Sequence, residues 1–445
     1  MNKNHSLNFA LDLAMRVIYR NSQVPLGVFI FLLLSILLSC SVALTLALGS
    51  GYGGNPDTYG MLATFLSALH DGQYHPSRYT GYPAAELIVG FVAWLGGSAL
   101  ANASSFIMFF MSSLLFPYCF IARPSALQRF LFGALTLSSP VLLFDSIVAI
   151  DYPYALFFWV AGTACLNCFS NASWAIIPLA LSVGCRPNFL VFAIISVLLV
   201  GHCSGAGGVF WGKVKSRIPV LLAVLFASSL FYLPVWISDS FGFAWVSAAL
   251  PDAQGKIGMI IRFIYKIPLA FGFVQFAIIC AYAFFSFPPG FRLSARSPFY
   301  HRLNEMLREG LFPLLLIVIA NLIIFWQIPT NFYYLQPLLF VVYFCLSCSS
   351  AKKALLICLV IISLNHLNWL VRPQLLSLSH RSDIASCSSV VANGGRLGIW
   401  LDHGRLAEYD SSMRKSNCYV KSPVLYGDYD YAPLLLSGRP LRFIK

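Results

Sequence analysis

The sequence predicts an all-α polytopic membrane protein: a bundle of about eleven transmembrane helices with extracytoplasmic loop helices and a small polar C-terminal extracytoplasmic region. Three observations predict it. First, 58% of the 445 residues are hydrophobic and only 10% are charged, where an average soluble domain carries about 25% charged residues. The mean hydropathy is +0.76. Second, apolar runs long enough to cross roughly 30 Å of hydrocarbon recur along most of the chain. They are continuous, unlike the roughly ten-residue alternations of barrel strands. Third, Lys and Arg gather in short loops between the runs, as the positive-inside bias requires.

Taken in order, a polar leader with Lys3, Arg16 and Arg20 precedes a first span at 24–48. That run is too long for a signal-peptide core and more spans follow it, so it reads as an uncleaved anchor with its N-terminus in the cytoplasm. Residues 49–83 form the first outer segment. Positive-inside evidence favours one net crossing within 84–122, preceded by a half-embedded helix. The alternative, two short helices broken at Gly96-Gly97, would invert everything downstream. Further spans fall at 129–148, 153–170, 174–185, 187–203, 218–237, 260–287, 311–328, 335–350 and 354–370. The basic loops that mark the cytoplasmic face hold Arg123 and Arg129, then Lys213, Lys215 and Arg217. After them come Arg292, Arg296, Arg302 and Arg308, and finally Lys352 and Lys353. Residues 1–370 are thus the membrane domain and 371–445 an extracytoplasmic region rich in Ser and Tyr.

The net charge of +13 belongs to those loops and does not point to a nucleic-acid partner. Of the twelve cysteines, Cys165, Cys280 and Cys345 fall within spans and read as small apolar residues. Cys387 and Cys418 share the tail, where an oxidising compartment would allow a disulfide; two free thiols are the alternative.

Carboxylates are the informative residues, because one placed near hydrocarbon is costly and usually functional. Asp57 stands in Asn55-Pro56-Asp57-Thr58-Tyr59, where Pro56 suits a helix start and the helix dipole favours an ionised side chain in the first turn. It reads either as a helix cap or as a general base. The same outer segment contains His70 and His75, which read as solvated loop residues, and closes with Ser77-Arg78-Tyr79-Thr80-Gly81-Tyr82-Pro83. Asp151, in Ala149-Ile150-Asp151-Tyr152-Pro153, reads as a polar span end or a site residue. Arg186, in Gly184-Cys185-Arg186-Pro187-Asn188, interrupts an apolar stretch and needs an anion. That anion is a carboxylate, Asp145 or Asp151, or a phosphate. Arg78 is a second phosphate ligand or an interfacial residue that snorkels. Tyr333 and Tyr334, ahead of Gln336-Pro337, either join an interfacial belt or line a sugar site.

The order of these segments resembles the GT-C superfamily of integral membrane glycosyltransferases. It is most similar to bacterial relatives of the dolichyl-phosphate-mannose protein mannosyltransferases and of the lipid A aminoarabinose transferases. The resemblance is carried by an outer-loop Asp after the first span, by Ser-Arg-x-x-Gly-Tyr-Pro, by Ser139-Pro140 in a span ending near Asp-Tyr-Pro, and by Gly-x-Arg-Pro. It covers about residues 24–200, and more loosely Tyr333 to Pro337. The chain departs from the pattern at Tyr79-Thr80, where a proline is usual, and at Thr58, where some members carry a second acid.

The resemblance implies a polyprenyl-phosphate-linked sugar as donor, an active site facing the periplasm in a bacterial inner membrane, and inversion at the anomeric carbon. The acceptor would be a cell-envelope glycan such as O-antigen or an exported protein such as pilin. Asp57 and Asp151 would be catalytic, Arg78 and Arg186 would hold the donor phosphate, and Tyr59, Tyr82, Tyr333 and Tyr334 would line the substrate. No cofactor is required by this scheme, although Asp57 and Asp151 could hold a divalent cation. Two other classes compete. A lipid-linked glycan flippase or transporter would place charges at mid-membrane depth and often show internal repeats; the acids here cluster at one face and no repeat is visible. An O-antigen-type polymerase or ligase would have large outer loops late in the chain, whereas 238–257 is modest.

Overall fold

The computed structural model describes residues 25–49, 56–70, 72, 74–77, 81–200, 210–238, 255–286, 311–327, 332–348 and 352–370. Every regular element among the described residues is helical. The first is α1 (Leu26–Gly49), apolar on all sides, followed by α2 (Pro56–His70) and α3 (Pro83–Phe120). Pro83 opens α3 with a φ already suited to a helix. Next come α4 (Ala126–Ser138), α5 (Pro140–Ser146) and α6 (Asp151–Cys168). A capping box starts α4: Gln128 N–H donates to Ser125 Oγ (3.2 Å), and Ser125 N–H donates to Gln128 Oε1 (2.9 Å). A 3₁₀ turn (Ala172–Ala175) leads into α7 (Ile176–Cys185), and α8 (Phe189–Leu199) follows the corner at Arg186-Pro187-Asn188. The remaining elements are α9 (Phe210–Ser238), α10 (Gly255–Phe271), α11 (Phe273–Ser286), α12 (Leu311–Gln327), a 3₁₀ turn (Phe332–Leu335), α13 (Gln336–Cys348) and α14 (Lys352–Leu370).

By length and composition, α1, α3 and α9 can cross a membrane, or up to four spans if the bent α10–α11 pair counts as one. Several other apolar helices are shorter, because local chemistry interrupts the runs read from sequence. Ser139-Pro140 divides 129–148 into α4 and α5, since Pro140 has no N–H to continue the ladder. Gly272, at φ 92°, divides 260–287 with a 91° bend.

The break that the alternative reading puts in α3 is present at Gly96 (φ −147°, ψ 21°) and Gly97 (φ 64°, ψ −159°). The half before it makes no passage of its own along the bundle. A methyl group on Gly184 would stand 3.1 Å from Ala84 Cβ, and Asn102 Oδ1 accepts from Ala149 N–H (3.0 Å). Residues 84 and 102 therefore share one end, and the run from Asn102 to Phe120 makes the single traverse. Leu87, Phe91, Trp94 and Leu95 point outward from the first half. Gly97 occupies a backbone region that is essentially closed to side chains, although nothing lies within 4 Å of where a Cβ would stand. Gly97→Ala should cost about 1–3 kcal/mol through backbone strain alone, measurable as a lower unfolding midpoint in detergent.

Hydrogen bonds fix which helix ends meet. One end gathers the C-terminus of α1, the starts of α3 and α6, and the ends of α7 and α9. There Asn102 Nδ2 donates to Ala47 O (3.1 Å) and Tyr232 OH donates to Val183 O (3.0 Å). At the other end Asn167 Nδ2 donates to Tyr118 O (3.0 Å), and Arg129 donates to the Tyr118 hydroxyl (3.0 Å). Arg217 closes that end by donating to Val200 O (2.6 Å), Val197 O (3.2 Å) and Leu166 O (3.4 Å), carbonyls near the C-termini of α6 and α8.

Between the ends the core is aromatic. Phe116 stacks on Phe132 (5.3 Å, 12°) and meets the edges of Phe340 (5.2 Å) and Phe344 (5.6 Å). Lipid is as apolar as these side chains, so close packing and interhelical hydrogen bonds hold such a bundle together. Trp159 Nε1 and Thr163 Oγ1 both donate to Ser196 Oγ, at 3.0 and 2.9 Å.

Candidate functional site

The rim of the first end is built on two helix termini. Asp151 opens α6 after an extended Ile150 (φ −126°, ψ 167°), so its carboxylate sits where the helix N-terminus favours negative charge. Arg186 closes α7 in an extended conformation (φ −157°, ψ 117°), the backbone region that a following proline enforces. Its side chain turns inward. One terminal nitrogen donates to Asp151 Oδ2, and the other donates to the Tyr334 hydroxyl at 2.7 Å. The side chains are 3% and 2% exposed respectively, so this is a buried ion pair. The guanidinium carbon lies 4.1 Å from the Tyr152 ring centroid, 4.8 Å from that of Tyr334 and 5.3 Å from that of Tyr82. Three electron-rich faces and one carboxylate thus hold one cation. Arg186 Nε alone among its nitrogens has no partner. Tyr333, half-buried, rests against the Tyr152 ring at 5.8 Å.

Of the two anions open to Arg186 from sequence, the structure supplies a carboxylate, and it is that of Asp151 rather than Asp145. The charge of Arg186 is met within the protein, and the pair is neutral.

A second network anchors the first outer segment to α3. Glu86 is fully buried and accepts from the Tyr74 hydroxyl at Oε2, and from Ser77 N–H (3.0 Å) and Ser77 Oγ (2.5 Å) at Oε1. Burial, and then the Glu86 charge, push the Tyr74 phenol far above its ordinary pKa. Thr64 Oγ1 donates to His75 O (2.7 Å), which ties α2 to the same segment. Gly60 backs onto Ser77, where an added Cβ would stand 3.0 Å from the Ser77 Cβ.

These links place the N-terminal turn of α2 at the end of the bundle that holds Asp151. Asp57 and Tyr59 lie in that turn, and the helix begins at Pro56 as the sequence reading expects. Their side chains, and Arg78, Cys387 and Cys418 entirely, lie outside the described residues. The structure therefore brings together Asp151, Arg186, Tyr82, Tyr333 and Tyr334, with the Asp57 backbone at the same end. His75 is exposed, in keeping with a solvated loop residue.

Sequence reasoning missed three participants. Tyr152 was visible in Asp-Tyr-Pro but drew no role. Glu86 carried the signal of an acid one turn inside an apolar run. Tyr232, whose hydroxyl reaches the last turn of α7, carried none. Two Cys-x-x-Cys pairs also went unread, Cys165 with Cys168 and Cys345 with Cys348; all four are free thiols near the end opposite the rim. Among the described residues no three His, Cys, Asp or Glu side chains cluster as a metal site. Compared with protein-family models, with curated proteins and with solved structures, the chain has no match.

Proposed function

We propose that the chain is a polytopic membrane glycosyltransferase of about eleven crossings, with a GT-C-like bundle. It moves a sugar from a polyprenyl-phosphate-linked donor to a cell-envelope acceptor, a surface glycan such as O-antigen or an exported protein such as pilin. The observation that carries the reading is the convergence at one end of the bundle. Asp151, Arg186 and three tyrosines meet where the acidic first turn of α2 also lies.

Charge supports an extracytoplasmic rim. Arg123, Arg129, Lys215, Arg217, Lys352 and Lys353 belong to the opposite end, the side that the positive-inside bias assigns to the cytoplasm of a bacterial inner membrane. Lys266, which stands 5.1 Å from the Phe332 ring, is an exception at the rim.

Transfer from a phosphate-linked sugar needs a base for the acceptor hydroxyl and a cation for the departing phosphate. Asp57 supplies the base, and a single displacement inverts the anomeric centre. Because Asp151 already neutralises Arg186, the phosphate charge falls chiefly to Arg78, while Arg186 keeps Asp151 and Tyr334 in place and offers Nε.

Membranes containing the chain, given a polyprenyl-phosphate sugar labelled in the sugar, should pass label covalently to endogenous acceptor, with one sugar added by mass spectrometry. A chain of repeats would support a polymerase instead. Movement of label across proteoliposome membranes without covalent product would support a transporter.

A further inference from the structure

Glu86 holds the chain on both sides of Arg78. Its backbone N–H donates to Tyr82 O (2.8 Å), and its side chain accepts from the N–H (3.0 Å) and the hydroxyl (2.5 Å) of Ser77. The residues between these two ties are Arg78, Tyr79, Thr80 and Gly81. At the far end Gly81, with φ 60°, takes the left-handed backbone that favours glycine, and an added Cβ would stand 2.6 Å from Val235 Cγ2. Tyr82 follows, its ring 5.3 Å from the Arg186 guanidinium carbon. At the near end Ser77 backs onto Gly60 of α2, less than a helical turn after Asp57. Phe65 of the same helix packs so closely on Gly90 of α3 that a Cβ there would overlap its own. Ser77 is thus where α2, the returning segment and α3 meet, and Glu86 is the side chain that ties it.

A carboxyl group buried in an otherwise apolar helix is costly. Holding α3 against its neighbours does not require one, since apolar groups of the same shape can replace a buried polar pair at little or no cost. Apolar contact, however, is non-directional. Hydrogen bonds have narrow geometry. Two from Ser77 and a third from the Tyr74 hydroxyl fix the course of the main chain as it enters Arg78.

We infer that Glu86 is a positioning residue for the donor phosphate: by pinning Ser77 it sets where Arg78 stands relative to the Asp57 turn of α2 and to the Tyr82–Arg186 contact. The role rests on the glycosyltransferase reading above, in which Arg78 carries the phosphate charge. Glu86 is itself fully buried, so it acts through Arg78 and not on the lipid.

The full chain in lipid nanodiscs is titrated with undecaprenyl phosphate. Glu86→Leu keeps an apolar helix face and removes both acceptors. With Ser77 released, the arrangement competent to bind is only a fraction of the population, and affinity falls by that fraction. Glu86→Leu and Arg78→Ala should each weaken binding roughly tenfold or more. Combined, they should bind no more weakly than Arg78→Ala alone, because no guanidinium is left to place. A loss that adds in full to that of Arg78→Ala marks a general loosening of the bundle and overturns the positioning role. Unchanged affinity in Glu86→Leu overturns it as well, and either result leaves the donor reading standing. If Glu86→Leu does not fold, Ser77→Ala takes its place in the cycle, with an expected loss of about threefold. If Arg78→Ala has no effect, or the unaltered protein does not bind the lipid, the donor reading as drawn fails and the positioning role with it.

Discussion

Asp57→Asn should lower sugar transfer by roughly 10²- to 10⁴-fold, the range over which a general base contributes, without removing the protein from the membrane. Asparagine is the informative replacement. Asp57 is the second residue of α2, so asparagine gives up only the attraction of the helix N-terminus for a charge, about 0.3–1 kcal/mol, and the start at Pro56 should survive. Asparagine keeps the shape of the side chain and removes only the capacity to take a proton. Transfer from a labelled polyprenyl-phosphate sugar, measured beside membrane level and unfolding midpoint, separates the base from the cap. Activity equal to the unaltered protein would take Asp57 out of the mechanism.

Asp151→Asn and Arg186→Met should each destabilise the bundle by about 3–5 kcal/mol, because either leaves one buried group without its counter-charge. The double variant should lose clearly less than the sum, since no uncompensated charge remains. Reversible unfolding in mixed detergent, read as a double-mutant cycle, gives the coupling. Additive losses would mean that the two side chains do not depend on each other, and that the tyrosine rings alone hold Arg186.

The helical class was legible because composition and charge distribution report it directly. So was the break at Gly96-Gly97, since adjacent glycines remove the side chains that bias the backbone toward a helix. The need of Arg186 for an anion was legible as well, but its choice between Asp145 and Asp151 was not. That choice depends on how α7 lies along α6, which no local pattern encodes. Interruption of the runs was harder still. Ser139-Pro140 sits in an apolar stretch whose hydropathy reads as one span, although the missing N–H ends one helix and starts another. Glu86 drew no role from sequence, because its donors, Tyr74 and Ser77, come from a segment that folds back onto α3.

Asp151 and Arg186 are 35 residues apart, whereas Arg186 and Tyr334 are separated by 148. A charge carried toward hydrocarbon without a partner is costly. The α6–α7 hairpin can cancel both of its charges as soon as residue 186 leaves the ribosome, long before the 332–335 turn exists. The hairpin can thus enter lipid as an electrically neutral unit, with the tyrosine contact added later. Biogenesis, as much as chemistry, is served by keeping these two residues on neighbouring helices.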